Sequence, residues 1–192
     1  MTTLPAPPTN LPEQLCKRAL LRGTFTLRSG AVSDRYFDKY RVTTDPQLLA
    51  PVTSALNTLR GDHAAAATVI VAPALGAVPL ATALSLASGL PFVIVRDVVK
   101  EHGTSRAIEG KITPGSIAVL VEDVVTSGSA AVAACETATA AGLNVVASLC
   151  VLDRDGGGRE ALAGLGAPLA SLMSVDDLNA AFTAGFGEVV GD

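Results

Sequence analysis

Val119-Leu120-Val121-Glu122-Asp123-Val124-Val125-Thr126-Ser127-Gly128-Ser129 is the stretch on which the reading of this chain turns. Residues 117–121 form a largely β-branched apolar run with the length of a buried strand. Two carboxylates follow it, then a hydroxyl-rich turn around Gly128, then an alanine-rich segment over 129–141 that reads as a helix. Ionised groups lose much of their solvation on burial, so acids at a strand end must face water, a cation or ligand hydroxyls. The Thr-Ser-Gly-Ser turn offers hydroxyls and successive backbone N–H groups at a helix N-terminus, which suits a phosphate. Gly128 lets the backbone approach without a Cβ in the way. A ligand carrying both hydroxyls and phosphate, such as a ribose 5-phosphate, satisfies both halves of the stretch. The plainer alternative is an ordinary strand end with Ser or Thr capping the helix.

Working outward, residues 68–72, 92–95 and 145–152 are further apolar, largely β-branched runs, separated by helical or loop segments. Strands alternating with helices predict an α/β fold with a mainly parallel sheet flanked by helices on both faces. Functional loops of such sheets gather at the carboxyl ends of the strands. Here those loops are 73–77, 96–113, 122–129 and 153–159, where the polar residues of an otherwise apolar half are concentrated. Toward the N-terminus, 13–21 reads as a short helix ending at Gly23. Residues 24–28 alternate, turn at Ser29-Gly30 and resume over 35–42, a small antiparallel element. Thr44 or Asp45 caps a following helix with Pro46 near its first position. The expected division is a small N-terminal hood over 1–60 and an α/β core over 61–192, together one structural domain.

The bulk properties narrow the function classes. The chain of 192 residues is 49% hydrophobic and 17% charged, with a net charge of −4, which argues against a nucleic-acid-binding face. Cys16, Cys135 and Cys150 cannot all pair and none has metal-ligand spacing; a reducing, cytoplasmic setting is expected. Pro5, Pro7, Pro8 and Pro12 interrupt the beginning, which has no signal-peptide pattern. The uncharged segment 64–95 is cut by Pro73, Gly76, Pro79, Gly89 and Pro91 into pieces shorter than a membrane span needs, so no membrane partner is expected. His63 reads as a surface-loop residue, and Arg106, Glu109 and Lys111 as solvated charges.

The 119–129 stretch resembles the phosphoribosyl-diphosphate signature of type I phosphoribosyltransferases. Phe25-Thr26-Leu27-Arg28-Ser29-Gly30, Lys100-Glu101-His102-Gly103 and Leu152-Asp153-Arg154 resemble the orotate phosphoribosyltransferase family in order and spacing, over about Leu15 to Arg159. The resemblance implies the type I phosphoribosyltransferase fold and a role in pyrimidine biosynthesis. It implies transfer of the 5-phosphoribosyl group from phosphoribosyl diphosphate to orotate, giving orotidine 5′-phosphate and diphosphate. Lys100, His102 and Asp123 would be catalytic. Arg28, Arg96, Lys100, His102, Glu122, Asp123, Val124, Val125, Thr126, Ser127, Gly128, Ser129 and Ala130 would bind phosphoribosyl diphosphate. Arg154, Thr126 and Arg28 would bind orotate, and Tyr36 and Phe37 lie where the family frames the base. Mg²⁺ is the implied cofactor, held mainly through the substrate near Glu122 and Asp123. A homodimer is implied, with loop 97–113 contributing to the neighbouring site.

The chain also departs from the family. The loop 73–77 lacks the Tyr-Lys pair found there in many members, Asp97 follows Arg96 where lysine is common, and Arg28 stands where lysine is usual. Two alternatives stay open at this point: a purine-type phosphoribosyltransferase, and a non-catalytic protein that senses phosphoribosyl diphosphate on the same fold.

Overall fold

The computed structural model describes residues 6–26, 30–96 and 107–190. In chain order these form α1 (Leu11–Ala19), β1 (Leu20–Thr26), β2 (Val32–Phe37), α2 (Lys39–Thr43), α3 (Pro46–His63), β3 (Val69–Pro73), α4 (Val78–Ser88) and β4 (Phe92–Val95). Then come β5 (Ile108–Glu109), β6 (Ile117–Val125), α5 (Ser129–Ala140), β7 (Asn144–Asp153), α6 (Gly158–Gly164), β8 (Leu169–Ser174), α7 (Val175–Thr183) and β9 (Glu188–Val189).

Among the described residues the strands form a six-stranded sheet of order β5-β4-β3-β6-β7-β8 and a three-stranded sheet of order β2-β1-β9. The large sheet is parallel apart from β5, which runs antiparallel to β4. Its inner strands are apolar over most of their length because both faces are covered, with Glu122 and Asp123 on β6 and Ser148 on β7 as buried polar exceptions. Ile70, Val119 and Leu149 face a cluster that includes Leu56 of α3 and Leu80 and Leu84 of α4. Their neighbours Val71, Leu120 and Cys150 face Ala134 and Ala138 of α5 and Leu162 of α6. The period-2 alternation of a strand thus assigns each residue to one helical layer. Among the described residues no helix is long and apolar enough to cross a membrane.

From β3 the chain moves to β4 on one side, whereas from β6 it moves to β7 on the other. The sheet therefore has its topological switch between β3 and β6. A crevice opens there at the carboxyl ends of the strands, the usual ligand position in open α/β sheets.

The N-terminal half differs in detail from the expectation. The first helix ends at Ala19 and the chain passes straight into β1 at Leu20, whose apolar side chains 20 and 21 are buried. β2 ends at Phe37 instead of running on to Val42, because Asp38 caps α2 by accepting hydrogen bonds from the amides of Tyr40 and Arg41. Asp45 caps α3 through the amide of Gln47, with Pro46 in the first turn as expected. The small sheet is assembled from both ends of the chain: β1 pairs antiparallel with β2 and parallel with β9. Arg22 fastens it to α7, donating to the carbonyls of Phe182 and Phe186 with its guanidinium 3.8 Å from the Phe182 ring centroid.

Candidate active site

A cavity of about 800 Å³ occupies the switch crevice, a size suited to a small-molecule ligand. Its walls come from the β3–α4 loop (73–76), the end of β6 and the following turn (122–131), Lys39 and Tyr40 of α2, and Arg154 after β7. Four segments remote in sequence meet because three of them follow neighbouring parallel strands and the fourth, α2, leads in from the small sheet.

The strand at the centre runs further than the sequence suggested. β6 does not stop at Val121 but continues to Val125, since its ladder with β7 persists through Glu122↔Cys150, Val124↔Leu152 and Val125↔Asp153. The two acids are consequently strand residues and buried, Glu122 at 7% exposure and Asp123 at 3%. Both still line the cavity. Asp123 Oδ1 accepts from the amide of Val124 at 2.6 Å, and Glu122 Oε1 accepts from the amide of Asp123 at 3.0 Å. Asp123 Oδ2 lies 2.8 Å from the ammonium of Lys39 without the alignment of a directed hydrogen bond, so its acceptor capacity is unfilled.

The acids meet the demand for compensation differently. Asp123 faces a cation. Glu122 makes no ion pair among the described residues: burial first, then the adjacent Asp123 charge, pushes its carboxyl up to about 8 against the weaker pull of Lys39. The Lys39 ammonium is held above its ordinary value; burial opposes the charge, but the contact with Asp123 and the nearby Glu122 outweigh it.

Beyond the acids the turn is shaped by glycine. Gly128 has φ +74° and forms the N-cap of α5, and no side-chain oxygen caps that helix. The capping role foreseen for Ser or Thr is therefore not used, and the first amides of α5 are left for an anion. The turn packs on the loop after β7 at backbone contact distance. A Cβ on Gly158 would lie 2.4 Å from Val125 Cγ1 and 2.8 Å from Thr126 O, and one on Gly128 would lie 2.8 Å from Gly158 Cα. The amides of Arg154 and Gly158 donate to the carbonyls of Val125 and Thr126, locking the two loops together. On the opposite wall a Cβ on Gly76 would fall 1.8 Å from Asp123 Oδ2.

A model of the phosphoribosyl transferase domain matches residues 41–164. An orotate phosphoribosyltransferase of Halobacterium salinarum is 41% identical over 156 residues, 81% of this chain and 87% of that protein. The chain belongs to the orotate phosphoribosyltransferases. Among solved structures, Mycobacterium tuberculosis orotate phosphoribosyltransferase in complex with Fe(III) dicitrate matches with a TM-score of 0.78 at 32% identity, covering 88% of this chain and 97% of that one. The same enzyme in complex with 5-phospho-α-D-ribosyl 1-diphosphate matches with a TM-score of 0.73 at 30% identity, covering 88% and 97%. The mainly parallel, helix-flanked sheet is the type I phosphoribosyltransferase fold.

Of the site residues expected from the sequence, Glu122, Asp123, Val124, Val125, Thr126, Ser127, Gly128, Ser129, Ala130 and Arg154 line this cavity. Arg154 has no ion pair among the described residues, because Asp153 is taken by Arg159 at 2.7 Å instead of forming a local turn pair with Arg154. Arg96 is not among the lining residues; its guanidinium is paired with Glu109 at 3.0 Å, so Glu109 is a partner on β5 and not merely a solvated charge. Phe37 is buried in the core, whereas Tyr36 is partly exposed and its ring lies 5.5 Å from that of Phe25. Arg28, Asp97, Lys100 and His102 lie outside the described residues.

Sequence reasoning missed Lys39, Gly76 and Gly156-Gly157-Gly158. Lys39 was hidden because 35–42 reads as one strand; the signal available was Asp38 as a helix cap. The triple glycine reads only as too short for a linker between domains, although three glycines just past a predicted strand also signal close backbone approach.

Proposed function

We propose that this chain transfers the 5-phosphoribosyl group from phosphoribosyl diphosphate to orotate, releasing diphosphate and orotidine 5′-phosphate on the way to UMP. The observation that carries the reading is the meeting, in one cavity, of the buried acid pair, the N-terminus of α5, which no side chain caps, just past β6, and the Arg154 guanidinium, which has no ion pair among the described residues.

The α5 amides and the 126–129 hydroxyls hold the 5-phosphate. Asp123 and Glu122 accept hydrogen bonds from the ribose hydroxyls and so fix the sugar ring. The C1–O bond to diphosphate breaks with its electron pair leaving on the diphosphate, C1 gains positive character, and N1 of orotate bonds to C1 as its N–H proton passes to the departing diphosphate. Asp123, on the cavity floor, favours that developing charge over the neutral ground state. Arg154 presents a planar fork matched to the orotate carboxylate, with Thr126 donating to the same base. Holding both reactants in one frame removes most of the entropic barrier of a bimolecular step.

Mg²⁺ fits as a substrate-borne ion. Mg²⁺ keeps several waters and needs only one or two carboxylates beside phosphate oxygens, and Glu122 and Asp123 are the acids that line the cavity. Bound with the substrate, it would neutralise the diphosphate oxygens beside Glu122 and Asp123. Lys100 and His102 act on the leaving diphosphate from loop 97–113, which reaches into the site of a second copy in a homodimer. Arg28 and Arg96 join the ligand, Arg96 by exchanging Glu109 for phosphate oxygens. Cys16, Cys135 and Cys150 are free and buried, which supports a cytoplasmic setting.

The test is direct. Purified protein with orotate, phosphoribosyl diphosphate and Mg²⁺ should deplete orotate absorbance and yield orotidine 5′-phosphate, whereas adenine, guanine, hypoxanthine and xanthine should not be consumed. Turnover of a purine, or binding of phosphoribosyl diphosphate without product, overturns the assignment.

A further inference from the structure

Among the described residues only two cations line the cavity, Lys39 and Arg154. A phosphoribosyl diphosphate is anionic at both ends of its sugar. The 126–129 turn meets one end; among the described residues that line the cavity, Lys39 is the cation left for the other, since Arg154 serves the orotate carboxylate. The wall across from that turn is Pro73, Ala74, Leu75 and Gly76, which brings no charged side chain.

Lys39 stands at that wall. It is the first residue of α2, whose backbone is fixed by the Asp38 cap. Its Nζ lies 2.8 Å from Asp123 Oδ2 and 2.8 Å from where a Cβ on Gly76 would sit. The ammonium therefore hangs over the uncharged loop beside the acid that meets the sugar. A strand rises about 3.3 Å per residue, so Asp123 and Thr126 are roughly 10 Å apart, comparable to the reach from a ribose C1 substituent to its 5-phosphate. With the 5-phosphate on the turn and the hydroxyls on the acids, the C1 substituent arrives at Lys39 and Gly76. Gly76, lacking a Cβ, leaves that approach open.

We propose that Lys39 is a further cation that receives the C1 diphosphate in this chain, beside Lys100 and His102, exchanging its empty-site partner Asp123 for a diphosphate oxygen as the sugar hydroxyls take over Asp123. The exchange leaves the ammonium paired with a phosphate oxygen and the Asp123 carboxylate hydrogen-bonded to the hydroxyls. The side chain is one-third exposed and on a flexible stem, so the shift needs only rotation about its own bonds. The proposal rests on the phosphoribosyl reading above.

Calorimetric titration with magnesium diphosphate and, separately, with ribose 5-phosphate distinguishes this role from a purely structural brace on Asp123. Lys39→Met should lose about 10- to 100-fold in diphosphate affinity, the range of a charge-assisted contact, while ribose 5-phosphate affinity stays within about twofold. Lys39→Arg, which keeps the charge and the pair with Asp123, should recover most of the diphosphate affinity and confirms that loss in Lys39→Met is not loss of fold. In turnover, Lys39→Met should raise KM for phosphoribosyl diphosphate and leave KM for orotate unchanged. Unaltered diphosphate binding in Lys39→Met, or an equal loss of both ligands with no rescue by arginine, overturns the assignment of Lys39 alone. A wild-type protein that binds neither ligand overturns the phosphoribosyl reading and this proposal with it.

Discussion

The turn at 126–129 and the acid pair at 122–123 are neighbours on one strand, yet backbone packing holds the first and charge holds the second. The turn owes its shape to Gly128, Gly156 and Gly158, whose missing Cβ atoms let two loops touch at 2.4–3.1 Å from where those atoms would be. The acid floor depends on Lys39 facing Asp123 and on a proton kept by Glu122. A phosphate needs fixed N–H donors and no change of charge, which a rigid turn supplies at any ordinary pH. Sugar hydroxyls facing a centre that becomes positive need carboxylates, whose ionisation the cavity must control. The two halves should therefore fail differently when perturbed.

The largest effect is expected in the packed half. Gly158→Val adds three carbons where even a Cβ is 2.4 Å from Val125 Cγ1 and 2.8 Å from Thr126 O, a clash that should cost more than about 3 kcal/mol and abolish turnover. Thermal unfolding and the steady-state assay read this together; a stable, active variant would mean that the two loops are not packed as described. In the charged half, Asp123→Asn should leave the fold intact but lower kcat/KM for phosphoribosyl diphosphate by about 100-fold, roughly 2.7 kcal/mol. Normal kinetics would reduce Asp123 to a structural partner of Lys39. Arg154→Ala should raise KM for orotate by about 30-fold with little change for phosphoribosyl diphosphate, and Arg154→Lys should recover only part, having lost the fork.

The smallest effect is the most diagnostic of the contrast. Glu122 titrates near 8 folded against an ordinary 4.5. The folded state keeps a proton that the unfolded chain releases, so stability conferred by the neutral carboxyl is complete below about 4.5 and declines as pH rises toward 8. Glu122→Gln should flatten that decline and raise stability at pH 8 relative to the wild type, as measured by denaturant midpoints across the range. Sugar hydroxyls favour the ionised carboxylate, so ligand binding near neutrality should release a proton, visible as a buffer-dependent heat. Variants at Gly128 or Gly158 should leave the pH slope unchanged.

The same division explains what could be read from the sequence. The 117–129 stretch carries its own instructions: an apolar strand, two acids, a glycine turn and a helix are adjacent in the chain, so the cradle and its acids were legible. The parallel sheet followed from the alternation of apolar runs with helical segments. Strand ends were less legible, because pairing with β7 carries β6 through Glu122 and Asp123, and no local signal reports that a neighbour keeps the ladder going. Lys39 was invisible for a related reason: its partner lies more than eighty residues away, and only folding of β2 into the Asp38-capped helix brings the ammonium to the cavity. Arg96 shows the converse, a cation at the right end of the right strand whose partner across β4–β5 draws it aside.

The pairing of β5 against β4 has a consequence for how freely this protein can vary. The amide of Arg96 donates to the carbonyl of Ala107, and the Arg96 guanidinium meets Glu109. Residues 96 and 107 are thus clasped together, like the posts of a gate, whatever runs between them. Doubling the length of a closed segment costs only about 0.6 kcal/mol of closure entropy. The intervening stretch can consequently be lengthened, shortened or re-written in composition with the sheet left standing, which makes it the natural place for evolution or an engineer to retune the chemistry of the scaffold.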